Sequence, residues 1–556
     1  MNRIRSLFRK KTLRHDAVSG LVLGVESVPD GLASGLLAGV NPVYGLYGYL
    51  FGTFSGALAT SSHFMAVQAT GAMAIIVADV GLVHNGEDPE RALFTLAVLT
   101  GVVMILAGLL KLGSWLRFVS HSVMVGFISA VGLNIVLGQL DNFTGYESQG
   151  SNRVVRAFDL LLHPFDVHLA TLTVGVVAIV LILVLERSKL GALGMVVAVF
   201  LASGIVALFN WEVLLLSDIA EIPGGLPGIS LPKLSYIPSL ILPAASLAFV
   251  GLVQGAGISA SFPNPDGEYP DDSQDFVGQG VGNIVAGLFQ GMPVGGSMSA
   301  SSLAVNAGAK SRLALMIAGA VMAIVVLLFA DLVGYIAMPA LAGLLIIIGV
   351  RTVKVDDLVT VWNTGAVQQM VLAVTFGLTM LIPLQYAVLV GVGMSALLFI
   401  VRQSNQITVV RYVLDDSGRI REEPAPPEVG SNDVLVLQPQ GSLFFAAAPA
   451  FEAQLPAVTE RSRNSVVILR MRSREDIGST LIEVVTRYSA TLNNVGSKLM
   501  LVSVSDRIRE QIDATGTTGI VGAENIYPTS EYLGEAVRKA NADALEWIAA
   551  HRPESE

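Results

Sequence analysis

Gln68-Ala69-Thr70-Gly71-Ala72-Met73-Ala74 and Val294-Gly295-Gly296-Ser297-Met298-Ser299-Ala300 are short, small-residue apolar segments at matching points in the two halves of the chain. Each follows a Pro- and Gly-containing hydrophobic region by a similar distance. In a membrane protein such a pair marks two broken helices that meet at a ligand site near mid-bilayer. A helix N-terminus presents unpaired N–H groups and the positive end of a dipole, so it holds an anion without a basic side chain. The pair therefore predicts an anion transporter.

Composition places these segments in a lipid bilayer. Charged residues make up 14% of the chain and apolar ones 53%, against about 25% charged in soluble domains. The runs Leu169–Leu185, Leu313–Ala330 and Met370–Val401 carry no charge, and a span needs roughly 20 apolar residues. A single large buried core does not explain so many runs in series. The chain has no cysteine, which excludes disulfides, thiolate metal sites and cysteine nucleophiles. The basic cluster Arg3, Arg5, Arg9, Lys10, Lys11 and Arg14 is followed by a Pro-interrupted apolar stretch without a cleavage site. It is expected to stay cytoplasmic. The net charge of −10 sits largely in the tail and in the loop Asp266, Glu268, Asp271, Asp272, Asp275.

The pattern predicts an α-helical membrane domain over 17–404 with about 14 segments. They are 17–39, 41–60, 64–82, 92–111, 116–139, 167–185, 190–209, 239–259, 276–292, 294–307, 312–330, 332–350, 367–383 and 385–402. With residues 1–16 inside, Lys111, Arg117, Arg187, Lys189, Lys310, Arg312, Arg351, Lys354 and Arg402 fall on the cytoplasmic side. Arg91, Arg153, Arg156 and Lys233 fall outside, which follows the positive-inside rule. The halves 17–209 and 239–402 each hold an odd number of segments, so the second enters upside down as an inverted repeat. Beyond 404 polarity rises. Glu422-Glu423-Pro424-Ala425-Pro426-Pro427-Glu428 reads as a linker or loop. Buried strands are expected at Val434–Leu437, Val466–Leu469 and Leu499–Val504, with helices at 448–459, 480–494, 506–514 and 530–549. This alternation predicts a small α/β domain over 405–556.

Several stretches resemble the SulP (sulfate permease) anion transporters. They are Val28-Pro29-Asp30-Gly31-Leu32-Ala33 with Leu37-Ala38-Gly39-Val40-Asn41-Pro42 and Gly45-Leu46-Tyr47, and Leu116-Arg117-Phe118 through Gly126-Phe127 to Gln139-Leu140. A third run starts at Gly278-Gln279-Gly280-Val281-Gly282-Asn283-Ile284. It continues through Gly291-Met292-Pro293 to Asn306-Ala307-Gly308-Ala309-Lys310. Their shared order and spacing, over the whole chain, carry the likeness. The tail, with Gly441-Ser442-Leu443-Phe444-Phe445-Ala446-Ala447-Ala448, resembles a STAS domain. The resemblance implies a core and a gate bundle, with segments 3 and 10 as facing half-helices and segments 1 and 8 completing the site. It further implies a homodimer and a cytoplasmic, regulatory or assembling STAS domain. In soluble STAS proteins a helix-start Asp-Ser segment is phosphorylated. The matching stretch here is Glu475-Asp476-Ile477-Gly478-Ser479-Thr480, where a hydroxyl capping the helix is the simpler reading.

The backbone around Thr70, Gly71 and Ala72 and around Ser297, Met298 and Ser299 is expected to hold the anion, aided by the hydroxyls. The competing reading is that small residues serve tight helix packing. Two positions depart from the family. Ala300 stands where many relatives have Arg, and Gln254 stands where many have a carboxylate for cation or proton coupling. Segment 1 instead carries Asp30. Carboxylate and amide have then exchanged sides of one site, and Asp30 becomes the coupling-ion candidate; capping of backbone freed by Pro29 is the alternative. Glu26, one turn earlier, shares a face with Asp30 if the helix continues through Pro29. His63 and His121 read as interfacial, Asp79 as closing the first half-helix or facing an outer vestibule, and Asn283 and Asn306 as tying helices together.

The expected function is secondary active transport of a small inorganic or carboxylic anion of the sulfate, bicarbonate or dicarboxylate class, proton- or sodium-coupled. The alternatives are an uncoupled anion channel or an anion exchanger. A nucleobase permease of the same fold would lack the STAS tail. No phosphate loop, metal cluster or nucleophile triad points to an enzyme, and nothing calls for a cofactor or a nucleic-acid partner.

Overall fold

The computed structural model describes residues 10–113, 120–150, 152–191, 193–219, 225–404, 406–414, 420–441, 443, 445–472, 474, 476–532 and 534–552. The expected motif at Leu116-Arg117-Phe118, together with Ser442, Phe444 and Glu475, lies outside them. The chain forms two compact units, Met1–Ser395 and Ala396–Glu556.

Seven segments in the first half are α1 Lys10–Leu37, α2 Pro42–Ala59, α3 Gly71–Ala78, α4 Pro89–Leu109, α5 His121–Gly138, α6 Leu169–Glu186 and α7 Leu193–Phe209. Seven follow in the second: α8 Ile237–Ser261, α9 Asp272–Leu288, α10 Met298–Asn306, α11 Leu313–Leu328, α12 Met338–Thr352, α13 Ala366–Leu381 and α14 Leu384–Ser404. The seven-plus-seven plan is consistent with this order. Among the described residues, six helices are long and apolar enough to cross a membrane. The short α3 and α10 are the two half-helices read from the sequence. Each is preceded by a three-residue strand, β1 Ala66–Gln68 and β2 Gly295–Ser297.

Local chemistry explains the boundaries. Asn41 caps α2 by accepting from the Val43 N–H at 3.0 Å, with Pro42 at the first helical position, where its missing N–H costs nothing. Asp88 caps α4, again followed by proline. Pro29 lies inside α1 without ending it, because neighbouring helices surround that turn. Helices α1–α4 pack with α8–α11, while α5, α6, α7, α12 and α13 make a second group; α3 and α1 reach across to α5, α7 and α12. Helices α4 and α9 cross closely, where a side chain on Gly101 would meet the Gly280 carbonyl at 2.5 Å and one on Gly280 the Gly101 carbonyl at 2.6 Å. Small residues let these backbones touch.

The second unit contains a sheet in the order β4-β3-β5-β6-β7-β8, formed by β3 Thr408–Leu414, β4 Ile420–Pro424, β5 Val434–Gln440, β6 Val466–Arg470, β7 Lys498–Val504 and β8 Ile526–Pro528. The β5–β8 part is parallel and β3 and β4 join antiparallel. Its helices include α15 Gly478–Asn494, α16 Asp506–Ala514 and α17 Glu535–Ala550. Three expectations need correction. The helix expected at 448–459 is only Ala448–Glu452, because Pro456 cannot continue it. Glu422, Glu423 and Pro424 belong to β4 rather than to a linker; as an exposed edge strand it has no apolar face to betray it. Neither Ser479 nor Thr480 caps α15; the Gly478 N–H donates to Asp476 Oδ1 at 3.0 Å and both hydroxyl residues are exposed.

Candidate functional site

The two half-helices are joined at their beginnings. Strands β1 and β2 pair antiparallel, Ala66 with Ser297, Val67 with Gly296 and Gln68 with Gly295. From this ladder the chain turns into α3 on one side and α10 on the other, so both N-termini start from one point. Glycine at 295 and 296 is required by packing: an added Cβ would lie 2.9 Å from Gly251 Cα or 2.8 Å from Gly255 Cα of α8. The ladder thus rests directly on α8.

Polar side chains fix the ladder. Gln279 Oε1 accepts from the Gly296 N–H at 2.9 Å, and Asn283 accepts from the Val294 N–H at 2.9 Å while donating to the Val294 carbonyl at 2.5 Å. Ser301 Oγ accepts from the Ala66 N–H at 3.0 Å, and Gln68 Nε2 donates to Ser27 Oγ at 2.9 Å. Asn283 ties elements together, as its sequence context suggested. Gln279, Ser301 and Ser27 were missed; a lone polar side chain among small and apolar residues is the signal that could have found them.

Each half-helix is capped by its own hydroxyl residue. Thr70 Oγ1 accepts from the Met73 N–H at 3.4 Å and Ser297 Oγ from the Ala300 N–H at 3.4 Å. Thr70 also donates to Gln254 Oε1 of α8 at 2.9 Å, and Ser297 and Ser299 hydroxyls lie 3.2 Å apart. Ser299 is exposed, Met298 is 42% exposed, and Ser297 and Ala72 are buried. The Gly71 position faces α5: a side chain there would press into Ile135. Its smallness serves packing of α3 on α5, the competing reading of the sequence. Ala300 is buried at 3% exposure, so the place of the relatives' Arg is packed with apolar surface.

Asp30 lies on the uninterrupted α1, with Glu26 one turn away. The Tyr49 hydroxyl of α2 sits 2.7 Å from Asp30 Oδ2, 2.8 Å from the Ala69 carbonyl and 3.1 Å from Ser34 Oγ. Asp30 and Gln254 therefore both reach the turn that starts α3, one through Tyr49 and one directly. Tyr49 was not singled out in the sequence. A narrow, largely apolar pocket lies between α5, α8, α13 and α14, lined by residues such as Phe127, Phe249 and Val253, with Gln254 and Thr375 as its polar members. Asp79 ends α3; it accepts from Arg153 Nη2 at 3.0 Å and from the Leu384 N–H at 2.9 Å. The His63 ring packs edge-on to Phe64.

The comparisons agree with this architecture. The sulfate permease family profile matches residues 13–375 and the STAS domain profile residues 425–533. The chain is 26% identical to "Sulfate transporter 4.1, chloroplastic" of Arabidopsis thaliana, over 94% of this chain and 79% of that protein. It is 28% identical to the "Bicarbonate transporter BicA" of a Picosynechococcus species, over 79% of this chain and 80% of the other. Among solved structures, SLC26A9 superposes with a TM-score of 0.82 at 20% identity, covering 96% of this chain and 91% of that one. The transmembrane domain of a cyanobacterial BicA gives 0.59 at 24% identity, covering 70% and 98%. With its paired half-helices, fourteen-segment order and C-terminal sheet domain, the chain belongs to the sulfate permease family.

Proposed function

We propose that this protein moves a small anion of the sulfate, bicarbonate or dicarboxylate class across the cell membrane by secondary active transport. The anion sits between the N-termini of α3 and α10, at the backbone of Thr70, Gly71, Ala72, Ser297, Met298 and Ser299. One observation carries this reading: a β1–β2 ladder makes two opposed helix N-termini begin at one point, and no basic side chain is needed there. Asp30 is the coupling site, for a proton or sodium ion. Two unit charges about 6 Å apart repel by roughly 2–3 kcal/mol at an effective dielectric near 20. Filling Asp30 with a cation removes that repulsion, and each ligand then strengthens the other by one factor. Gln254 supplies an amide in place of the second carboxylate, and Glu26 flanks Asp30. The protein works as a homodimer with its N-terminus and STAS domain on the cytoplasmic side.

Liposomes carrying the full chain test this. Uptake of sulfate, bicarbonate, chloride and dicarboxylates is measured at two pH values, with and without sodium. Accumulation against a gradient that disappears in Asp30→Asn, while anion-for-anion exchange persists, is the expected result. Accumulation unchanged in Asp30→Asn makes Asp30 structural. Flux that never runs uphill favours the uncoupled pathway suggested by Ala300 and Gln254.

A further inference from the structure

We infer that Tyr49 is the positioning residue that reports the protonation of Asp30 to the start of α3; the inference rests on Asp30 being the coupling site. The number of protons in this cluster decides which bonds form. Four oxygens, Ser34 Oγ, Tyr49 Oη, Asp30 Oδ2 and the Ala69 carbonyl, make three contacts of 3.1, 2.7 and 2.8 Å, all through the Tyr49 oxygen. Three hydrogen bonds need three protons. The hydroxyls of Ser34 and Tyr49 supply two, and a carbonyl supplies none.

A proton on Asp30 completes the set. Asp30 then donates to the Tyr49 oxygen, Ser34 does likewise, and Tyr49 gives its own O–H to the Ala69 carbonyl. An ionised Asp30 has no proton to give. It draws the Tyr49 O–H to itself, because a charge-assisted bond is the stronger one, and Ala69 loses that donor. Tyr49 is 2% exposed and Ala69 1% exposed, so water does not readily replace it. Ala69 immediately precedes Thr70, the cap of α3. Protonation of Asp30 therefore steadies the turn that aims the Gly71 and Ala72 N–H groups, and ionisation loosens it.

Among the ionisable groups around this cluster, Asp30 is the one whose carboxyl touches the Tyr49 hydroxyl. Packed against α1 are α2, α3, α7, α10, α11 and α12. Of these, only α12 carries an Asp, Glu, Lys, Arg or His, namely Arg351, which pairs with Glu186 at 2.6 Å. On α1 itself, Glu26 lies one turn from Asp30, Arg14 and His15 lie at its start, and Asp16 accepts from the Lys310 and Ser311 N–H groups. Tyr44 and Tyr47 share α2 with Tyr49. Helix α9, packed on α2, brings Asp272 and Asp275; the latter is held by Ser61, Ser62 and Ser259.

The test uses the full-length protein in liposomes and radiolabelled sulfate, whose charge stays constant between pH 6 and pH 8. Wild-type KM is expected to rise about tenfold over that range, the worth of roughly one buried hydrogen bond. Asp30→Asn keeps a donor toward Tyr49, so its KM stays low and flat with pH. Tyr49→Phe keeps the ring but cannot reach Ala69; its KM at pH 6 rises about five- to tenfold. Adding Tyr49→Phe to Asp30→Asn raises KM by that same factor. Ser34→Ala removes a bond to Tyr49 but leaves the path from Asp30 through Tyr49 to Ala69, so it keeps the wild-type rise of KM with pH. Wild-type KM at pH 6 in Tyr49→Phe overturns the relay. A wild-type pH profile in Asp30→Asn overturns the coupling site instead, so the two failures are distinct. An infrared difference spectrum between pH 6 and pH 8 serves as a readout without transport. The carboxyl band absent in Asp30→Asn must shift in Tyr49→Phe, and an unshifted band refutes the inference.

Discussion

Gly71 shows how one residue admits two physical explanations that only packing separates. In the sequence, a glycine at the start of a half-helix invites a ligand to approach the backbone. In the fold, the space beside it is filled by Ile135 of α5. Gly71→Ala is therefore expected to impair transport through a clash, and Ile135→Ala in the same chain to restore it at least in part. If the glycine instead made room for the anion, the second substitution would rescue nothing; sulfate uptake by the single and double variants decides. Thr70 behaves differently. Its hydroxyl both caps α3 and donates to Gln254, so the proposed anion contact competes with two bonds that the fold already gives it. Tyr49 was invisible because a tyrosine on an apolar helix looks like core. Its role comes from three oxygens contributed by residues 15, 19 and 20 positions away in sequence.

Among the elements, the two half-helices were legible through their matched small-residue segments at 68–74 and 294–300, although the bounds 64–82 overran the eight-residue α3. Strands β3, β4 and β8 were not read. β4 alternates no apolar residues and β8 is three residues long, so neither leaves a periodic trace. The end of α3 holds a link the sequence could only frame as two options. Asp79 closes the half-helix, and its two oxygens hold Arg153 and the first N–H of α14. Removing a partly buried acceptor strands both donors, at a cost of about 1–3 kcal/mol. Asp79→Ala should lower the melting temperature of the detergent-solubilised protein. Arg153→Met should lower it less, because Asp79 keeps the Leu384 N–H and the arginine is 24% exposed. Equal losses in the two variants would show that the ion pair, rather than the bond to α14, carries the tether.

At the scale of the whole chain, the two units have separate hydrophobic cores. One is built on residues such as Leu32, Met73 and Leu341, the other on Leu435, Leu469 and Leu501. The change in polarity after Arg402 made that division readable, because a soluble α/β domain and a lipid-facing bundle obey opposite rules about exposed apolar surface. Every residue proposed to touch the anion or the coupling ion lies between Glu26 and Ser299, in the first unit. Deleting 405–556 removes none of them and no membrane segment. The shortened protein is therefore expected to keep the order of anion preference and the pH dependence of KM in liposomes. What it should lose is yield and the stability of the proposed homodimer, since the deleted unit has a hydrophobic core of its own. Uptake competition between sulfate, bicarbonate and dicarboxylates, alongside light scattering of the purified protein, measures both. A reordered preference in the shortened chain would place part of the permeation path in the STAS domain, and an unchanged dimer would move assembly into the membrane helices.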